Sequence, residues 1–201
     1  MIRVLLADDQ ALVRGALAAL LDLEGDIEVV AQVGSGDEVV AAARTSEAQV
    51  CLLDIEMPGL DGIEAARALA AELPTTRSLV VTTFGRPGYL RRALEAGASG
   101  FVVKDTPAGE LAEAVRRVHA GLRVVDPSLA SESLAAGANP LTDRERDVLR
   151  ATLDGSPVAQ IAAAVHLSPG TVRNYLSSAI GKTGSSTRAQ AAQVARERGW
   201  L

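Results

Sequence analysis

Three aspartates and one lysine have the residue types that phosphoryl-group chemistry requires. Asp8 and Asp9 directly follow the apolar run VLLA, Asp54 follows VCLL, and Lys104 follows GFVV. Carboxylates that lie close together repel one another unless a cation sits among them. Carboxylate oxygens suit Mg²⁺, which typically also engages phosphate, and an aspartate can act as a nucleophile that forms an aspartyl-phosphate. These residues therefore predict a site for Mg²⁺ and a phosphoryl group.

Alternating strands and helices over the first 120 residues would bring these side chains together. Apolar runs predict strands at 2–7, 27–33, 49–54, 78–82 and 100–103, and amphipathic runs predict helices near 10–23, 36–46, 61–72, 87–96 and 107–120. Strands this apolar are buried on both faces, as in a parallel sheet covered by helices. We therefore predict an α/β doubly wound (βα)5 domain, in which ligands bind at the carboxyl ends of the strands. Thr82 would add a hydroxyl donor at that edge.

The charge distribution divides the chain into an acidic first part and a basic last part. Residues 1–121 hold 11 Lys and Arg against 18 Asp and Glu, whereas residues 139–201 hold 8 against 5. The basic excess is small and gives weak support for nucleic-acid binding. The sequence contains neither a run of 18 apolar residues nor a secretory signal pattern, so we expect a cytoplasmic protein.

Small and polar residues bounded by proline predict that residues 122–138 form a linker, with a short helix that Asp126 caps.

The remaining residues, 139–201, are predicted to be all-helical. Thr142 and Glu145 fit a capping box, and Ser156 and Ser168 each precede a proline as helix N-caps do. Of the four predicted helices, the two joined by VHLSP resemble a helix-turn-helix.

Residues 1–121 resemble the receiver domain of two-component response regulators, a flavodoxin-like fold. The matching runs are ADD (7–9), LLDIEMPGLDGIE (52–64), VVTTF (80–84) and AGASGFVVKD (96–105). The resemblance implies that a sensor histidine kinase transfers phosphate to Asp54 and that Thr82 and Phe101 form a switch pair. It also implies that Lys104 pairs with the phosphoryl oxygens. The implied Mg²⁺ ligands are Asp8 acting through water, Asp9, Asp54 and the backbone carbonyl of Glu56.

Residues 139–201 are similar to the LuxR-type helix-turn-helix output domain of the NarL/FixJ family. The similarity rests on LTDRERDVLRATLDG, on IAAAVHLSPGTVRNYLSSAIGK and on the later Arg188. Apolar residues on one face of the predicted recognition helix leave Arg173, Asn174 and Ser177 outward. Arginine and asparagine make bidentate contacts with guanine and adenine edges. Three other residues are predicted to contact DNA phosphates, namely Thr171, Lys182 and Arg188.

Together the two resemblances imply a transcription factor switched by phosphorylation. Phosphorylation would promote a homodimer that reads paired half-sites in promoter DNA. We predict a dimer face on the first and last receiver helices, formed by Val13, Leu17, Val115 and Val118. The runs TTFGRPGYLRRAL, NPLTDRE and GTVRNYLS resemble one branch of the family and imply a membrane-bound kinase.

Two other classes of function are open at this point, although we expect that the protein is not an enzyme. A Mg²⁺-dependent phosphohydrolase would use an aspartyl nucleophile, but its usual Asp-x-Asp pair is only loosely matched by Asp54 and Glu56. A one-component sensor would bind a metabolite at the strand ends and would need an apolar pocket there. Turnover of small phosphate esters would favour the enzyme.

Overall fold

The structure is a computed structural model of the 201-residue chain and describes residues 1–83, 85, 87–135 and 139–201. Phe84 of the VVTTF run and residues 136–138 of the predicted linker lie outside the described residues. The chain forms two compact units, one of residues 1–85 and 90–131, the other of residues 86–89 and 132–201.

A six-stranded parallel sheet forms the centre of the first unit, with the strand order β2-β1-β3-β4-β5-β6. The strands are β1 (Ile2–Ala7), β2 (Ile27–Val33), β3 (Val50–Leu53), β4 (Arg77–Thr82), β5 (Gly100–Val103) and β6 (Val124–Val125). The helices between them are α1 (Ala11–Asp22), α2 (Val39–Thr45), α3 (Gly62–Glu72), α4 (Pro87–Glu95) and α5 (Ala108–His119), and a 3-10 turn at Gly36–Glu38 precedes α2. The predicted doubly wound α/β fold is confirmed, and β6 is an additional strand inside the predicted linker.

The central strands are buried on both faces, as their continuous apolar runs predict. All four residues of β3 are buried, and so are five of the six residues of β4. On one face, Leu6, Leu52 and Val81 pack in a core that α1 and α5 cover, and Leu111 and Val115 of α5 belong to it. This packing fixes the strands in a rigid layer, so the residues just beyond their carboxyl ends have defined positions.

The second unit contains a small helical core. Its helices are α7 (Asp143–Arg150), α8 (Val158–Ala164), α9 (Pro169–Thr183) and α10 (Arg188–Glu197), and α6 (Pro127–Ala135) precedes them along the chain. Val148, Ile161, Val172, Ala191 and Trp200 are buried in this core. The predicted four-helix output domain is confirmed. In the described part of the chain, none of the helices combines the length and apolarity needed to cross a membrane.

The predicted helix caps are confirmed at three of four positions, and one of these is Asp126, whose carboxylate accepts a hydrogen bond of 3.3 Å from the Leu129 amide at the start of α6. Thr142 and Glu145 form the capping box of α7, and the Ser168 hydroxyl accepts a hydrogen bond of 3.1 Å from the Thr171 amide at the start of α9. The prediction for Ser156 is wrong, because Pro157 takes the N-cap position of α8 and no side chain caps this helix. Pro157 has an extended backbone, with φ −63° and ψ 152°, so α8 begins one residue later than expected.

Candidate functional site

The acidic site lies where the neighbouring strands β1 and β3 end. The Asp54 amide donates a hydrogen bond of 2.8 Å to the Ala7 carbonyl, which extends the pairing of the two strands by one residue. This bond places Asp54 beside Asp8, and both residues are buried. Asp9, the next residue, is exposed. The structure thus brings together the three aspartates that the sequence analysis placed at one sheet edge.

Lys104 joins the two buried carboxylates. Its Nζ atom lies 2.8 Å from Asp8 Oδ2 and 3.2 Å from Asp54 Oδ1. Its backbone amide donates to the Thr82 carbonyl at 2.8 Å, so the β4–β5 pairing fixes the root of the side chain. Desolvation alone would lower the pKa of Lys104, but its contacts with Asp8 and Asp54 outweigh burial and raise that pKa. The ammonium group therefore stays charged at neutral pH.

The Asp54 carboxyl is energetically unfavourable as a buried anion. Desolvation by burial raises the pKa of Asp54 most strongly, Lys104 opposes this increase, and the nearby Asp8 charge adds to it. Because the folded pKa lies above the ordinary value, ionised Asp54 costs stability, and this cost appears as the pH rises through the folded pKa. A carboxylate in this position gains from any additional cation that approaches it.

The donor set of the three aspartates fits a hard divalent cation. One carboxylate oxygen from each of Asp8, Asp9 and Asp54 lies within 4.8 Å of the others. Oxygen donors at this spacing match the preference of Mg²⁺, which binds through a few carboxylates and keeps several waters. Glu56, whose carbonyl was predicted to complete the set, is exposed and follows Asp54 by two residues.

The loop between β3 and α3 closes tightly over the Asp54 backbone. Its end is fixed by a capping box, in which the Asp61 side chain accepts from the Glu64 amide at 2.7 Å. A Cβ atom on Gly62 would lie 1.9 Å from the Asp54 carbonyl oxygen, so only glycine allows α3 to begin this close to the site. The glycine at position 62 of the run LLDIEMPGLDGIE therefore has a steric basis.

The predicted switch residues lie on neighbouring strands. Thr82 ends β4 and is 3% exposed, and Phe101 lies in β5 and is 0% exposed. In the sheet register, Phe101 pairs with Val80, two residues before Thr82. The roles assigned to the two side chains stay predictions.

The predicted dimer face needs correction. Val115 and Val118 are 0% exposed in the core of the first unit, and Leu17 packs against the same core. The apolar spacing of α5 therefore serves its own sheet, and its two valines form no outer surface. Val13 is half-buried. The exposed large apolar side chains of α1 are instead Leu12, at 87% exposure, and Leu20, at 43%.

The surface of α9 has the character predicted for a recognition helix. Val172, Leu176 and Ala179 are buried, whereas Arg173, Asn174 and Ser177 are exposed. The helix therefore packs through one face and presents an arginine and an asparagine on the other. Its N-terminus is capped by Ser168, which sets where this outward face begins.

The predicted phosphate contacts have different surroundings. Thr171 and Arg188 are half-buried at the starts of α9 and α10. The Lys182 ammonium lies 2.7 Å from Glu145 Oε2 and keeps 34% of its side-chain surface exposed. Lys182 thus has a structural partner besides any phosphate that it contacts.

Sequence reasoning found Glu145 as a capping residue and missed its second role. Glu145 Oε1 accepts a hydrogen bond of 2.6 Å from the Ser178 hydroxyl, so this buried carboxylate holds α7 against α9. Burial would raise the pKa of Glu145, but hydrogen bonds from Lys182, Ser178 and Thr142 outweigh it and lower the pKa to about 2. The sequence signal that could have indicated this role is the position of Glu145, an acidic residue, on the buried face of the amphipathic helix α7.

Comparison with known proteins agrees with this geometry. The family described as response regulator receiver domain matches residues 4–116, and the family described as bacterial regulatory proteins, luxR family, matches residues 139–195. The fold, the acidic strand ends and these matches define the class: a receiver domain followed by a DNA-binding domain. The chain belongs to the response regulators with a LuxR-type output domain, and it is a transcriptional regulator.

Individual relatives match over nearly the whole chain. The transcriptional regulatory protein DesR of Bacillus subtilis is 43% identical over 203 residues and covers both chains completely. The DNA-binding transcriptional activator DevR/DosR of Mycobacterium tuberculosis is 37% identical over 206 residues, covering 98% of this chain and 95% of its own. The crystal structure of the response regulator ChrA of a heme-sensing two-component system is 33% identical, with a TM-score of 0.60 and coverage of 100% and 98%. The branch predicted from TTFGRPGYLRRAL and related runs is the one that contains DesR, and that prediction is confirmed.

Replacement of Glu145 tests its role as the link between α7 and α9. We expect Glu145→Gln to lower the free energy of unfolding of the second unit by about 1–3 kcal/mol at neutral pH, because a buried charge pair is broken. The folded pKa of about 2 lies below the ordinary value of 4.5. The wild-type contribution is therefore complete above about pH 5 and is lost as the pH falls towards 2, a dependence that the variant lacks.

Denaturant unfolding followed by the fluorescence of Trp200 measures both effects, because Trp200 is the single tryptophan and is buried in this core. The matched control is Asp154→Asn, which removes an exposed carboxylate from the same unit. Equal stability of Glu145→Gln and the control at neutral pH would contradict the assignment.

Proposed function

We propose that a sensor histidine kinase phosphorylates Asp54 and that this phosphorylation controls sequence-specific binding of the output domain to promoter DNA. The observation that supports the proposal best is the buried Asp54 carboxylate beside Asp8 and Asp9, with Lys104 Nζ at 3.2 Å. A receiver and a LuxR-type output domain occur together in this chain. The kinase is proposed to be membrane-bound because the sequence resembles the DesR branch.

In the transfer step, an oxygen of ionised Asp54 donates the electron pair of the new P–O bond. The P–N bond of the kinase phosphohistidine breaks, and its imidazole takes up a proton. Lys104 stays protonated, and its ammonium lies close enough to pair with a phosphoryl oxygen on Asp54. Mg²⁺ held by Asp8, Asp9, Asp54 and the Glu56 carbonyl would supply positive charge for the phosphoryl oxygens.

The negative charge of a phosphoryl group on Asp54 is proposed to change the positions of Thr82 and Phe101. Thr82 is buried at the same sheet edge, and its hydroxyl is proposed to turn towards a phosphoryl oxygen. Because Thr82 and Phe101 lie on paired strands, a shift at β4 changes the packing of the Phe101 ring in β5. The phosphoryl group thereby favours one of two receiver conformations.

The phosphorylated receiver is proposed to form a homodimer through α1. Leu12 and Leu20 are two helical turns apart on the same side of α1, and both expose apolar surface to solvent. Val13 and Leu17 are half-buried next to this side, and Leu17 packs against the core of the first unit. A dimer would raise the local concentration of two output domains on paired half-sites.

The output domain is proposed to read DNA through α9. Arg173, Asn174 and Ser177 are exposed on its outward face and are proposed to enter the major groove. Thr171, Lys182 and Arg188 are proposed to contact phosphates, which orient the helix without specifying sequence. The basic excess of residues 139–201 agrees with this division of roles.

Phosphoacceptance is tested by Asp54→Asn with acetyl phosphate and Mg²⁺. We expect the wild type to gain one phosphoryl group per chain in intact-mass measurements and Asp54→Asn to gain none, because the nucleophilic carboxylate is missing. The control is Glu28→Gln, which removes an exposed carboxylate from β2 and should label like the wild type. Equal labelling of Asp54→Asn would overturn the assignment, and rapid multiple turnover would favour the phosphohydrolase instead.

Sequence readout is tested by Arg173→Ala. We expect a loss of about 1–3 kcal/mol of discrimination at one base position, with other positions unchanged. The comparison variant is Arg188→Ala, which should weaken binding uniformly and reduce the salt slope by about 1. Binding to a randomised operator library at several salt concentrations measures both quantities. Uniform weakening by Arg173→Ala would make Arg173 a phosphate contact.

The dimer face is tested by the double substitution Leu12→Glu and Leu20→Glu. We expect the dimer formed with beryllofluoride to weaken at least about tenfold, or about 1.4 kcal/mol, because two charges would be buried in the interface. Leu122→Glu is the control, since Leu122 is 53% exposed but lies outside α1. Sedimentation velocity gives the dimer fraction. An undiminished dimer in the double variant would place the interface elsewhere.

A further inference from the structure

Arg14 lies directly beneath the acidic site, and neither the sequence motifs nor the proposed reaction gives it a role. It belongs to the second turn of α1, where its amide donates to the Gln10 carbonyl at 2.9 Å. Arg14 lines a narrow cavity together with Asp8, Asp54 and Leu17. Apart from these polar groups, the cavity walls are aliphatic, so a charged side chain needs a specific partner there.

That partner is a backbone carbonyl. Arg14 Nη1 donates a hydrogen bond to the carbonyl oxygen of Asp8, which belongs to the peptide group between Asp8 and Asp9. In the described part of the chain, Arg14 forms no ion pair within 4.0 Å, and its buried Nε atom has no hydrogen-bond partner. The guanidinium therefore forms its hydrogen bond with this peptide group and not with the carboxylates.

Both the carboxylate and the backbone carbonyl of Asp8 accept hydrogen bonds. Its carboxylate accepts from the Gln10 amide at 2.9 Å and from Lys104 at 2.8 Å, while its carbonyl accepts from Arg14. Rotation of the Asp8–Asp9 peptide plane would break the Arg14 bond, and the same rotation would move the exposed Asp9 carboxylate. Among the described residues, the Asp9 side chain has no hydrogen-bond or ion-pair partner, and Asp9 is one of the three clustered carboxylates.

We propose that Arg14 is a positioning residue for Mg²⁺ binding: by holding the Asp8–Asp9 peptide group, it fixes the direction of the Asp9 carboxylate. This inference rests on the proposed Mg²⁺-dependent function of the same site. Residues that orient metal ligands through hydrogen bonds commonly change metal affinity by about 10–100-fold when removed. A purely electrostatic role has the opposite sign, because loss of a nearby positive charge would strengthen cation binding.

The test compares Mg²⁺ affinity in three full-length proteins by isothermal titration calorimetry. Arg14→Met keeps the length of the side chain but removes its donors, and we expect its Mg²⁺ dissociation constant to rise about tenfold or more. Arg14→Lys supplies a single donor and should recover part of the lost affinity. The control is Arg3→Met, because Arg3 also donates to a backbone carbonyl, that of Ser46 at 2.7 Å, near the opposite end of β1.

Circular dichroism at the titration temperature checks that each variant is folded, and Arg14→Lys serves as the deciding variant where Arg14→Met does not fold. Unchanged or tighter Mg²⁺ binding by folded Arg14→Met, or by Arg14→Lys where only that variant folds, overturns the inference and leaves the proposed function standing. An equal loss in Arg3→Met also overturns it, since the effect would then be general to the fold. Absence of Mg²⁺ binding by the wild type overturns the proposed function together with the inference.

Discussion

The contact of Lys104 with two buried carboxylates is the interaction on which the rest of the site depends. Two carboxylates that are 3% and 4% exposed could not lie side by side without a fixed cation. Lys104 supplies it at 2.8 and 3.2 Å. One ammonium does not satisfy three acids, however, because burial still raises the pKa of Asp54. The remaining excess of negative charge is what the proposed Mg²⁺ would neutralise at this edge of the sheet.

The parallel sheet makes this arrangement possible. β1, β3, β4 and β5 are neighbours with a common direction, so their carboxyl ends deliver Asp8, Asp54, Thr82 and Lys104 to one edge. Backbone hydrogen bonds continue just past the strands, from the Asp54 amide to the Ala7 carbonyl and from the Lys104 amide to the Thr82 carbonyl. These bonds fix the backbone from which the Asp54 and Lys104 side chains extend. The second unit uses a comparable device, since the buried Glu145 links α7 to Ser178 and Lys182 on α9. In the first unit, buried carboxylates hold the Lys104 side chain. In the second unit, a buried carboxylate holds α9 against α7.

The positions of the strand-end residues were predictable because the carboxyl ends of neighbouring parallel strands lie at the same edge of the sheet. The outward face of α9 was equally predictable from its helical period. Two kinds of feature were not. Helical periodicity identified Val115 and Val118 as an apolar face but could not distinguish packing on their own sheet from packing on a partner. The bonds from Arg14 to Asp8 and from Lys182 to Glu145 depend on distances between elements, which no local pattern contains. The two-residue strand β6 was too short to produce a period.

The central claim is that charge added at Asp54 controls the affinity of the output domain for DNA. The most direct measurement is the dissociation constant for a selected operator, with and without beryllofluoride and Mg²⁺, at one salt concentration, with ¹⁹F NMR reporting occupancy of the site. The account predicts binding that is tighter by about tenfold or more, equivalent to about 1.4 kcal/mol, when the site is occupied. Equal dissociation constants at full occupancy would contradict it.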